Sequence, residues 1–218
     1  MFKPDRLGAA YGHGMTTPAS TTPDIDRTAD LLATVLDDLA SVVAGIRPEQ
    51  LHDPTPCTDL DVERLREHVV GWLTAFADGF ADPQGRVPRA NLDGYGVPAD
   101  PAGEVRTCAQ RLDRAIRAGA ADRPLRLGAS EMPGELALGM ILWEYQVHGW
   151  DLARATGQPW APAEAAAWES LAFAPGMLTE DYQGEGKAFG VPVPVAPDAA
   201  PFDRLLGLCG RDPGWVGG

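Results

Sequence analysis

Glu144 and His148 stand four residues apart in the stretch Trp143-Glu144-Tyr145-Gln146-Val147-His148-Gly149-Trp150-Asp151. On a helix that spacing puts both side chains on one face, about one turn apart. Met140, Ile141, Val147 and Leu152 surround the pair, so the face is apolar. A carboxylate buried without a partner is costly. A divalent metal held by both groups would remove that cost; a hydrogen-bonded pair inside a helical bundle is the alternative. Two ligands do not make a site, and the chain has four histidines from which to draw a third.

His68 is the best placed of them. It falls mid-helix on the side carrying Leu65, Val69, Trp72, Leu73, Phe76 and Phe80. Two imidazoles and a carboxylate suit zinc first, with iron, nickel or manganese also compatible. Three protein ligands leave a position open, which is the catalytic and not the structural arrangement. His13 lies near the N-terminus, and His52 lies in a Pro-rich loop that reads as surface. Asp151, three residues past His148, could hold an imidazole from behind or make a structural hydrogen bond. Trp72, one turn after His68, and Met140, one turn before Glu144, would wall a pocket beside the metal; each would serve equally as core. Cys57 precedes a helix start, where a thiol pKa can be lowered. Its Pro-flanked loop favours a structural role instead.

Helices must position these residues. Ile25, Leu32, Val35, Leu36, Leu39, Val42, Val43 and Ile46 recur at helical spacing, predicting a first helix over 24–46. Pro and Asp crowd the loop 51–61, and Asp61 is a suitable N-cap for a second helix over 62–81. A Pro- and Gly-rich loop over 82–101, containing Asn91 to Gly96, could lie over a pocket. A third helix is expected over 102–121, with Arg106, Arg111, Arg114 and Arg117 on a solvated face. Residues 122–133 should be extended, and the helix carrying Glu144 and His148 should run over 134–156 to a Gly157-Gln158-Pro159 stop. A fifth helix over 162–179 is expected to break at Pro175-Gly176, 189–195 to be extended, and a last short helix to cover 199–209. The fold class is all-α: a four-helix bundle with extra C-terminal helices and long loops. Residues 1–23 read as a flexible tail and 24–215 as one domain.

Composition sets bounds. The net charge of −13 argues against nucleic-acid and anionic-membrane partners, which want a basic face. No apolar run reaches the length of a membrane span. The three cysteines, Cys57, Cys108 and Cys209, are far apart and form no CxxC pair, which fits a reducing cytoplasm. Monomer and homodimer are both compatible with the sequence.

Three segments carry a resemblance. Asp61 to Gly71, with His68 inside and Pro54-Thr55-Pro56-Cys57 before it, resembles the second-helix signature of the DinB-like superfamily. Glu144 to Gln158 resembles the mycothiol-dependent maleylpyruvate isomerase-like branch, and Phe202 to Pro213 is similar to the end of that branch's small metal-binding members. The resemblance covers about residues 24–215. It implies a DinB-like bundle, a metal held by His68, Glu144 and His148, and isomerisation or thiol S-transfer on a small-molecule substrate with mycothiol as cosubstrate. The separate C-terminal domain of the isomerase has no counterpart in this sequence, so a maleylpyruvate substrate is not carried over. A non-thiol tailoring enzyme or hydrolase on the same scaffold, and a non-catalytic metal- or ligand-binding protein, are the alternatives.

Overall fold

The computed structural model describes residues 24–88, 96, 98–187 and 189–217. The expected N-terminal tail and most of the loop around Asn91 lie outside them. The described residues are mostly helical. They form α1 (Ile25–Ala44), α2 (Val62–Ala81), α3 (Pro101–Arg117), α4 (Gly134–Thr156), α5 (Glu164–Met177) and α6 (Pro201–Leu208). Three short strands, β1 (Arg86–Val87), β2 (Leu125–Leu127) and β3 (Ser130–Met132), make one small sheet in that order. No described helix is long and apolar enough to cross a membrane.

Local chemistry sets the helix starts. The Arg27 N–H donates to Asp24 Oδ1 at 3.2 Å, the Arg64 N–H to Asp61 Oδ1 at 2.9 Å, and the Gly103 N–H to Asp100 Oδ1 at 2.8 Å. Each aspartate satisfies an amide that the first turn leaves unpaired. Helix α4 ends on Gly157, whose φ of 69° is a left-handed cap.

Helices α1 to α4 form the bundle. Helix α1 packs on α3 and α4, and α2 packs on the same two, so each has two neighbours. Helix α5 covers α4 from outside, and α6 packs on α5. Every residue from Ala137 to Val147 is therefore buried. A helix apolar around its whole circumference is one enclosed on all sides. The α2–α4 contact is tied where it matters. The Tyr145 hydroxyl, next to Glu144, donates to the carbonyl of Val69, next to His68, at 2.9 Å.

Three expectations need correction. The helical class holds, and β2 and β3 fall in the stretch expected to be extended, but β1 pairs in parallel with β2, Arg86 opposite Arg126, while β2 pairs antiparallel with β3. The expected loop over 82–101 thus contains a strand. The break expected at Pro175 does not occur; α5 runs through it to Met177. Pro175 sits in the last turn, where it forfeits one helical hydrogen bond and little helix follows to be kinked. The arginine face of α3 is also not simply solvated. Arg111 pairs with Asp78 of α2, and Arg117 pairs with Asp26 and Asp30 of α1 and with Asp113. Exposed pairs of this kind contribute about 0–1 kcal/mol each.

Beside His148, α4 needs a residue without a side chain. A Cβ on Gly149 would lie 2.1 Å from Trp160 Cη2 and 2.2 Å from its Cζ2. The indole rests directly on the helix backbone. Gly149→Ala should therefore destabilise the protein by about 1–3 kcal/mol, since the ring must move out of a packed site. Urea unfolding of the purified variant measures this, and a midpoint equal to wild type would contradict the packing described.

Candidate metal centre

Helices α2 and α4 bring two of the expected ligands face to face. The His68 and His148 rings stand edge to face with centroids 5.2 Å apart. Both residues are mostly buried but not sealed, the His148 side chain being 12% exposed. One turn before His148, Glu144 is 6% exposed. No hydrogen bond or ion pair joins its carboxylate to another described residue. Burial pushes the Glu144 carboxyl up to about 7, with the Arg211 charge pulling the other way. Burial, then the neighbouring His148, hold the His68 imidazole down at about 3. His68 is thus neutral at physiological pH and keeps a nitrogen lone pair to give.

His148 has a second set of neighbours on its own helix and beyond. Its Nδ1 lies 3.2 Å from Asp151 Oδ2. Asp151 is fully buried and also accepts from the Arg211 guanidinium, at 3.0 Å from Nη2 to Oδ2 and 3.4 Å from Nε to Oδ1. Burial works against the Asp151 charge. Arg211, and then the His148 hydrogen bond, outweigh it and hold the carboxyl below its usual value. Cys57, half-buried ahead of α2, completes a compact group: one donor atom from each of Cys57, His148 and Asp151 lies within 4.8 Å of the others. The three together could hold a metal ion. Burial, then the Asp151 charge, push the Cys57 thiol up to about 11. It is a protonated thiol at neutral pH, not a ready nucleophile.

His148 is therefore common to two donor groups. One reaches across to His68 with Glu144 buried alongside; the other is Cys57, Asp151 and, behind it, Arg211. Among the described residues, the Cys57 group is the one whose donor atoms all close to within 4.8 Å. Glu144 is not part of it. The two groups differ in what they leave unsatisfied. Asp151 already has a cationic partner and a histidine. Glu144 has neither among the described residues, and a buried carboxylate so placed is what a bound cation would neutralise. A hydrogen bond from Nδ1 to Asp151 leaves Nε2 of a neutral His148 as the nitrogen free to coordinate. The first donor set, two neutral imidazoles and a hard carboxylate, fits a divalent cation of zinc type.

The other candidates separate cleanly. Trp72 is 5% exposed and Met140 is 0% exposed; both belong to the bundle core, with the Trp72 ring 5.6 Å from Phe76. His52 is a surface residue 3.8 Å from Asp61, and His13 lies outside the described residues. Cys57, Cys108 and Cys209 are all free thiols. Two open clefts, of about 550 and 610 Å³, lie elsewhere, one beside Trp168 and Arg204 and the other beside Arg123 and Glu135. Neither is lined by a residue of the histidine cluster. Sequence reasoning missed Arg211. No local pattern marks it, because its partner lies sixty residues away.

Comparisons with known proteins give the chain its family. Two curated proteins of Mycobacterium tuberculosis match, both described as uncharacterized: MT0763 of strain CDC 1551 and Rv0738 of strain H37Rv. Each is 32% identical over 175 residues, covering 80% of this chain and 92% of the relative. No solved structure matches. Residues 32–153, which include Cys57, His68, Glu144, His148 and Asp151, match the family described as the mycothiol maleylpyruvate isomerase N-terminal domain. The chain belongs to that family.

Proposed function

We propose that the protein is a metal-dependent enzyme of the mycothiol-dependent isomerase or thiol S-transferase type. His68, Glu144 and His148 hold a divalent cation, zinc first, and a small electrophile is the substrate. The observation that carries the reading is Glu144: a buried carboxylate, without a hydrogen-bond or ion-pair partner among the described residues, one helical turn from an imidazole that faces a second imidazole. Family membership supports it, since the family's name ties it to a thiol-dependent isomerase.

A cation bound there supplies Lewis acidity, which lowers the pKa of a thiol or water or polarises a carbonyl. The chain's residues do the rest. His68 and His148 present imidazole nitrogens from opposing helices. Glu144 gives up its proton to become the anionic ligand. Asp151 orients His148 through Nδ1. The solvent-facing edge of the two rings admits the thiol and the electrophile. Trp72 and Met140 form the apolar wall behind it, and the low-dielectric surroundings strengthen whatever charge develops. The substrate is a small molecule, and the acidic chain has no use for nucleic acid.

The Cys57, His148 and Asp151 geometry favours a second reading, in which the ion sits on that group and the protein stores or senses metal without turnover. The two readings part on mutation. Elemental analysis of zinc-reconstituted protein should give equimolar metal for wild type and Cys57→Ser, and substoichiometric metal for His68→Ala, His148→Ala and Glu144→Gln, all with wild-type circular dichroism. Turnover of an electrophile in the presence of mycothiol should follow the metal. Metal lost in Cys57→Ser but kept in Glu144→Gln would overturn the assignment.

Acidity gives an independent check. The folded Glu144 carboxyl titrates near 7, above the ordinary 4.5. Between those values the metal-free folded state binds more protons than the unfolded chain, so stability falls as pH rises through that window. His68 acts at the other end: neutral to about 3 in the fold against 6.5 outside it, it costs stability as pH falls below 6.5. Metal-free wild type should therefore lose about 1–3 kcal/mol relative to Glu144→Gln between pH 5 and 7.5 by urea titration, the His68 contribution being common to both and cancelling in the difference. Zinc affinity of wild type should weaken below pH 7 as Glu144 retains its proton. Parallel stability profiles for the two proteins would contradict this.

A further inference from the structure

We infer that Arg211, on the segment following α6, is a positioning residue for the histidine centre. It holds Asp151 so that His148 keeps its proton on Nδ1 and presents Nε2 as a donor. The inference rests on the metal reading above for its consequence, and on geometry alone for the arrangement itself.

Arg211 is 3% exposed, and the structure surrounds it on every donor. Nε and Nη2 reach the two oxygens of Asp151, and Nη1 donates to the Cys209 carbonyl at 2.9 Å. Its guanidinium lies 5.7 Å from the Phe189 ring centroid. Phe189 in turn stacks on Trp143 of α4 at 4.6 Å, and the Trp143 indole N–H donates to Cys209 Sγ at 3.1 Å. The segment is therefore fastened to α4 directly beside Glu144 and reaches Asp151 along the same helix.

A fork of this kind fixes a carboxylate in plane, which a point charge does not. With both oxygens engaged by Arg211, the lone pair left on Oδ2 faces His148 Nδ1 at 3.2 Å. A carboxylate that can only accept obliges the imidazole to donate, which settles the tautomer. Stability alone does not account for the arrangement, because a buried ion pair replaced whole by apolar residues of the same volume is commonly matched or exceeded. Arg211 also lies outside residues 32–153, so the family match assigns it nothing. The part of the chain after α6 thus contributes to a centre whose donors all lie on earlier elements.

The test uses the full chain labelled with ¹⁵N-histidine. Long-range ¹H–¹⁵N correlation on the metal-free protein reports which ring nitrogen of His148 carries the proton, and zinc competition titration reports affinity. Wild type should show protonated Nδ1. Arg211→Met should shift the proton to Nε2 or to an exchanging mixture, and zinc affinity should fall about 10–100-fold, the usual cost of losing support behind a ligand. Arg211→Lys keeps charge and most of the volume but cannot fork. It should fold, with a smaller loss of about threefold or more, and it carries the test if the methionine variant does not fold. A His148 protonated on Nε2 in wild type overturns the proposal. So do variants that keep the wild-type tautomer and affinity. If wild type binds no zinc yet the tautomer still responds to Arg211, the metal reading fails and the positioning role stands.

Discussion

A carboxylate enclosed by apolar helices demands a counter-charge, and Glu144 has none among the described side chains. Most of the centre can be understood as an answer to that demand. Helix α4 is buried around its circumference because α1, α2 and α5 pack against it. Any polar group on it must therefore find a partner inside the protein or bind one. Tyr145 finds the Val69 carbonyl, Asp151 finds Arg211, and Gln146 finds Ser170 at 2.6 Å. Glu144 stands apart from this pattern at the level where His68 and His148 meet. Gln146 Oε1 is also without a partner among the described residues, but it is a neutral amide oxygen, whereas Glu144 carries a carboxyl.

The other donor group shows why proximity alone does not choose a site. Cys57, His148 and Asp151 are the tighter cluster. Yet Asp151 is already neutralised by a guanidinium, and the Cys57 thiol is held protonated by burial and by the same carboxylate. Coordination there would have to displace Arg211 from Asp151 or share the carboxylate with it, at the cost of a buried charge left with fewer partners. Coordination at Glu144 would displace only the carboxyl proton and no described partner. On the proposed reading, electrostatic need and not distance decides which of the two groups takes the ion.

Much of this was legible in the sequence because it is written locally. The spacing of Glu144 and His148 follows from helical geometry. The bounds of α2 and α4 follow from Asp61 and from the Gly157 stop, so both helices lie where the pattern puts them. His68 could be placed on the core side of α2 by the same periodicity. What could not be read is what depends on distant pairing. Strand β1 is two residues long and exists because it lies against β2, forty positions on. Arg211 reads as an ordinary loop arginine until the fold sets it on Asp151. Pro175 carries a local signal for a break, but its place in a final turn made that signal weak. The family resemblance supplied the link between His68 and α4 that spacing alone could not.

X-ray absorption at the zinc edge, on zinc-loaded protein free of added thiol, tests the central claim most directly. The account predicts a first shell of nitrogen and oxygen at about 2.0–2.1 Å, with imidazole scattering from two histidines and no sulfur. A sulfur scatterer at about 2.3 Å would place the ion on Cys57 and contradict it.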